Sequence, residues 1–172
     1  DVLSSLSSGG YNIGIGYAAG GDIDHVDSDN NVIIGTSAGI GGAAAMKECI
    51  VIGTSAMTST STNAQTGTIA IGHQALTALT SGAGNTAVGY QAGAGLTTSA
   101  TNVVIGYQAL DLATTQADNN IAIGYQAMHG NWTTADVNGC IAIGTTALDG
   151  VLTSGASNSI AIGYNALTSL TS

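Results

Sequence analysis

The chain has 172 residues, 26 of them Gly and none Pro or Phe, and only 6% are charged, against about 25% in an ordinary domain. A single cation, Lys47, stands against ten acidic residues, for a formal charge of −9. Nucleic acid and anionic membrane surfaces are recognised by clustered Lys and Arg, so neither is an expected partner. No run of about 18 apolar residues offers a spanning helix, and no charged-then-apolar signal segment opens the chain, so no membrane insertion is expected.

In chain order, one unit returns nine times, most plainly as Asn120-Ile121-Ala122-Ile123-Gly124-Tyr125-Gln126-Ala127-Met128. Its glycines are Gly16, Gly35, Gly53, Gly72, Gly89, Gly106, Gly124, Gly144 and Gly163, in steps of 17 to 20 residues. Three places after each stands Ala, from Ala19 to Ala166, and directly before each stands Ile, or Val at Val88. A fixed period near 18 marks a repeat architecture, in which each unit is one coil of a solenoid. The aliphatic residues three and one before the glycine have the period of two of a strand. Stacking the coils sets Ile121 on Ile141 and Ile123 on Ile143. These two columns hold 17 aliphatic residues and one exception, Thr86. At ~1.5–3 kcal/mol per buried aliphatic side chain they would bind coil to coil. The glycine is expected to turn the chain, and the Ala column leaves little room after the turn.

Between the two ladders runs a third column: Gly14, Ile33, Val51, Ala70, Ala87, Val104, Ala122, Ala142 and Ala161. Its side chains point to the opposite face of the strand. A solvated face would carry Thr, Lys or Glu, whereas this one is apolar and mostly small. A coil of about 18 residues has one interior, so this column is expected to meet another chain and to form an oligomer interface.

The bends between strands are rich in Ser, Thr, Gly and Asn. Asp22, Asp24, Asp27 and Asp29 crowd the first; alternate aspartates resemble calcium ligands, but the Gly and distal Glu of an EF-hand loop are missing, and a solvated acidic loop is the other reading. Ala43-Ala44-Ala45-Met46-Lys47, within Ile40 to Glu48, has the character of one helical turn. Thr58 to Thr62 reads as an exposed bend. Cys49 and Cys140 share the column four before the glycine, otherwise held by Asn12, Asn31, Asn85, Asn102, Asn120, Thr68 and Ser159. Five coils at about 4.8 Å put the two cysteines roughly 24 Å apart, too far for an intrachain disulfide. They are small buried occupants of a polar column, or they touch a symmetry mate's cysteine. Tyr17, Tyr90, Tyr107, Tyr125 and Tyr164 share the column after the glycine, a structural stack or a contact surface. In the longest step, His129 and Trp132 are candidates for surface contact, since aromatics serve as contact hot spots. His25, His73 and His129 lie in different coils without a nucleophile, and no glycine belongs to a Lys-bearing phosphate loop. No catalytic residue and no cofactor beyond calcium is expected, and the chain does not read as an enzyme.

A hexapeptide helix would repeat its aliphatics every six residues, yet six after Ile105 is Asp111 and six after Ile123 is His129. A roll with a strand, a turn, a shorter second strand and a return loop per coil suits better. The units Asn85-Thr86-Ala87-Val88-Gly89-Tyr90-Gln91-Ala92-Gly93 and Asn120 to Met128 resemble the head repeats of trimeric autotransporter adhesins, the YadA-like head. They resemble still more the related repeats of phage tail fibres and other surface fibres, often found upstream of an endosialidase-type chaperone domain. The resemblance covers nearly the whole chain. It implies an all-β fold, a left-handed parallel β-roll, trimeric about its long axis, that serves as a shaft or adhesive head. The chain departs from the adhesin head in its longer, irregular bends and in showing no neck, coiled-coil stalk or membrane anchor.

The expected function is that of a non-enzymatic structural fibre segment of a phage tail fibre or similar appendage, extracellular, serving host or surface attachment. Its partners would be copies of itself and a host or cell-surface receptor, glycans included. A bacterial surface adhesin or self-assembling filament is the alternative. An ice-binding solenoid is a third reading, from Thr97-Thr98, Thr114-Thr115 and Thr133-Thr134. Asp1 replaces an initiating Met and both ends cut the repeat, so the chain is expected to be a processed product or an excerpt of a longer fibre; copies stacking end to end would also cover such ends.

Overall fold

A computed structural model of the chain describes residues 1–3, 9–23, 25–41, 44–60, 64–113, 116–130, 136–153 and 156–169. Asp24, Trp132, Thr114-Thr115 and Thr133-Thr134 lie outside these residues.

Nine strands of three residues each end one place before a coil glycine. They are β1 (Ile13–Ile15), β2 (Val32–Ile34), β4 (Ile50–Ile52), β6 (Ile69–Ile71), β7 (Thr86–Val88), β8 (Val103–Ile105), β9 (Ile121–Ile123), β10 (Ile141–Ile143) and β11 (Ile160–Ile162). They stack in sequence order as one parallel nine-stranded sheet, with Ile121 opposite Ile141 and Ile123 opposite Ile143. The protein is an all-β parallel solenoid. Two further strands, β3 (Met46–Lys47) and β5 (Gln65–Thr66), pair in parallel on their own. The expected helical turn is therefore corrected: its Met46-Lys47 end is extended and paired with the next coil, and no α-helix occurs among the described residues. A short second strand forms only in these two coils among the described residues. Thr60, expected in an exposed bend, is buried.

Hydrogen bonds run from coil to coil well beyond the strands. In coil after coil the residue two after the glycine donates to the preceding coil, as Gln108 N–H does to the Tyr90 carbonyl at 2.9 Å. The residue four after the glycine donates forward, as Leu110 N–H does to the Ala127 carbonyl at 2.9 Å. The glycine turns the chain with φ near +135° in most coils, a backbone conformation closed to other residues. An added Cβ would also find no room. At Gly106 it would stand 2.3 Å from the carbonyl oxygen of Gly124 in the next coil.

The two faces of the sheet are the reverse of the expectation. Ile33, Val51, Ala70, Ala87, Val104, Ala122, Ala142 and Ala161 lie inside the coil, fully enclosed by their own chain. Gly14 lies beneath Val2 and Leu3, whose side chains an added Cβ would strike. These eight buried side chains have no surface left to offer another chain, so the expected interface column is corrected to an interior one. It is small because side chains four places after the glycine, such as Leu76, Leu110 and Met128, enter the same interior and are likewise buried. At the one Ile of the middle column the other is absent: Ile33 faces Gly39, whose added Cβ would stand 3.1 Å from Ile33 Cγ2. The two Ile ladders point outward instead.

The fourth column before the glycine is an internal amide ladder. Asn102 N–H and Nδ2 both donate to Asn85 Oδ1. Asn120 N–H donates to Asn102 Oδ1 at 2.9 Å, and Cys140 N–H to Asn120 Oδ1 at 2.8 Å. Each buried amide thus satisfies the backbone of the following coil, which is why small polar residues recur there.

Candidate functional site

The outer face is built from three columns: the residues three and one before the coil glycine, and the residue after it. Ile105 in mid-stack and Ile143 in the penultimate coil remain 38% and 37% exposed, and exposure is greater in the terminal coils. Beside them runs an aromatic stack. The His73, Tyr90, Tyr107 and Tyr125 rings follow one another at centroid separations of 5.2, 5.0 and 5.4 Å. Thr36, Thr54 and Thr145 occupy the column elsewhere and separate Tyr17 and Tyr164 from the stack. Neighbouring rings cover each other's faces, so the stack presents edges and hydroxyls and no open ring face along its middle. One place further on, Gln126, Gln108, Gln91 and Gln74 form a second ladder, in which the Nε2 of the first three donates to the Oε1 of the glutamine in the preceding coil at 2.9 to 3.2 Å.

None of the three outer columns contains Asp, Glu, Lys or Arg in any coil. The charged side chains lie outside the nine-stranded sheet, Lys47 in the short strand β3. Contiguous apolar surface of this kind marks contact sites on soluble proteins.

The remaining candidates fall elsewhere. In the acidic bend, Asp29 Oδ1 accepts the Gly10 N–H at 2.5 Å. Asp27 is exposed, with its N–H donating to His25 Nδ1 at 3.1 Å. Among the described residues no group of three or more His, Cys, Asp or Glu is arranged to hold a metal ion. Cys49 and Cys140 are free and fully buried in the amide column. Their thiols donate to the Lys47 and Ala156 carbonyls at 3.2 and 3.1 Å, and burial pushes both thiols up from the usual range. This fits their reading as small interior residues.

His129 is not a free surface group. Its Nε2 lies 3.4 Å from Asp111 Oδ1 and its Nδ1 3.5 Å from Asp149 Oδ1. The three residues stand five places after Gly106, Gly124 and Gly144, so successive coils place them in one column. That alignment was the signal available in the sequence. Burial raises Asp111 to about 6 despite the opposing pull of His129, and burial likewise raises Asp149. No helix among the described residues is long and apolar enough to cross a membrane.

No family model matches the chain, and neither a curated protein nor a solved structure matches it.

Proposed function

We propose that the chain is a structural fibre segment, of the kind that forms phage tail fibres and comparable surface appendages, and that it works as a trimer of identical solenoids packed through the outer Ile and Tyr face. In the virion or cell-surface setting the rod would hold an attachment element away from its base or itself touch the host surface. The observation that carries this reading is the uncharged, half-exposed apolar face on a chain of formal charge −9. A surface that repeats once per coil in strict register is best matched by one of the same pitch, and a second copy has that pitch. Copies that approach through this face keep their acidic bends outside, where water screens them. Closed rotational symmetry then buries the face in every copy.

Light scattering over a concentration series tests the reading. A constant threefold mass supports it. A compact monomer at micromolar concentration would refute the trimer, and a mass that climbs with concentration would replace it with an end-to-end filament.

A further inference from the structure

Asp111, His129 and Asp149 stack along the solenoid axis, the imidazole between the carboxylates. Each carboxylate is an acceptor when ionised, and a neutral imidazole has only one N–H. Two ionised carboxylates therefore cannot both be served by a neutral His129. One further proton, on the ring or on a carboxyl, resolves the mismatch. The mismatch is costly at Asp111, which is only 8% exposed and whose Oδ1 accepts no hydrogen bond; its 3.4 Å approach to His129 is that of an ion pair rather than an aligned bond.

We propose that Asp111, His129 and Asp149 form a proton-dependent clasp across three successive coils, closed when the cluster holds its extra proton and loosened when it does not. The residues next in the column, Ala94 and Thr168, carry no charge. The charged groups that act on Asp111 are His129 and Asp149, and the one that acts on Asp149 is His129. The sign follows from the raised acids. Burial lifts Asp111 to about 6 in the folded chain, above the ordinary aspartate value of about 3.9, so between these values the folded chain keeps a proton that the unfolded chain has lost. Stability contributed by the clasp is therefore greatest towards pH 4 and is lost as pH rises through about 6.

Hydrogen exchange reads this locally. The Leu110, Met128 and Leu148 amides bridge the coils beside the clasp, and the Met57 and Leu76 amides bridge distant coils in the same way. Corrected for intrinsic rates, protection at the first three should fall about tenfold from pH 5 to pH 7.5 relative to the other two, within the ~100-fold that the Asp111 displacement allows. Solution mass is checked at both pH values so that assembly does not mimic the effect. In Asp111→Asn the differential fall should disappear. Equal pH dependence at both sets of amides in the unaltered protein would overturn the clasp, whether or not the variant folds, and so would an undiminished fall in the variant.

Discussion

Replacing Gly106 by Ala should damage the fold more than the same change at Gly84, a bend glycine with room for a Cβ. The residue has φ +136°, and its added Cβ would stand 2.3 Å from Gly124 O and 2.7 Å from Gly124 C. Neither partner is a side chain that can swing away. Gly106 N–H is bound to Val88 O at 2.9 Å and Gly124 N–H to Ile105 O at 2.8 Å, so the two backbones are pinned to the same ladder. The unfavourable dihedral costs ~1–3 kcal/mol, and forcing the coils apart adds ~1–3 kcal/mol as overpacking does elsewhere. The control is Gly84→Ala. That residue also has positive φ, +71°, but its Cβ would meet nothing nearer than Thr101 Cγ2 at 3.6 Å. The control should lose only the left-handed penalty of ~1–2 kcal/mol. Urea unfolding followed by circular dichroism, at one fixed protein concentration, measures both. If Gly106→Ala is no more destabilising than Gly84→Ala, the close approach of successive glycines is not what selects glycine there.

Ile105→Lys should abolish association while leaving the far-ultraviolet spectrum of the coil intact. At 38% exposure the side chain still has roughly 0.6–1.2 kcal/mol per copy to gain from burial at a partner, and an ammonium group there would have to be desolvated; loss of the coil signal itself would show that the ladder faces inward. Asn102→Ala removes the acceptor of the buried Asn120 N–H and should cost ~1–3 kcal/mol in urea unfolding, an expectation that a neutral result would defeat. Cys49 and Cys140 should resist a thiol reagent at pH 8 in the folded protein and react at once in denaturant, since burial both hides the sulfurs and holds them protonated; fast labelling of the native chain would contradict the interior column.

The coil number, the strand positions and the register were legible because one period repeats nine times and glycine and alanine mark it. The direction of the strand faces was not. A period of two separates alternate residues but does not say which set is inside when both are apolar. Thr86 held the clue: the one polar residue in these columns sits in the ladder that proved to face outward, while the middle column has no polar member. The residue five before the glycine was also readable in hindsight. It is Gly or Asn at Asn30, Gly67, Gly84, Asn119, Gly139 and Asn158 and has positive φ in every coil, including Glu48 and Thr101, as the left-handed preference of Gly and Asn would suggest. The His129 cluster escaped because its members are 18 and 20 residues apart in bends of unequal length, and only counting from the glycines aligns them.

The bends differ by up to three residues, yet the strands never slip from register. Length along the axis is therefore quantised. Residues added to a bend widen the rod locally and leave its reach unchanged, whereas a whole added coil extends it by about 4.8 Å. A gene encoding such a rod can vary its sides freely and can alter its span only in whole steps, so that span is fixed by counting glycines rather than residues.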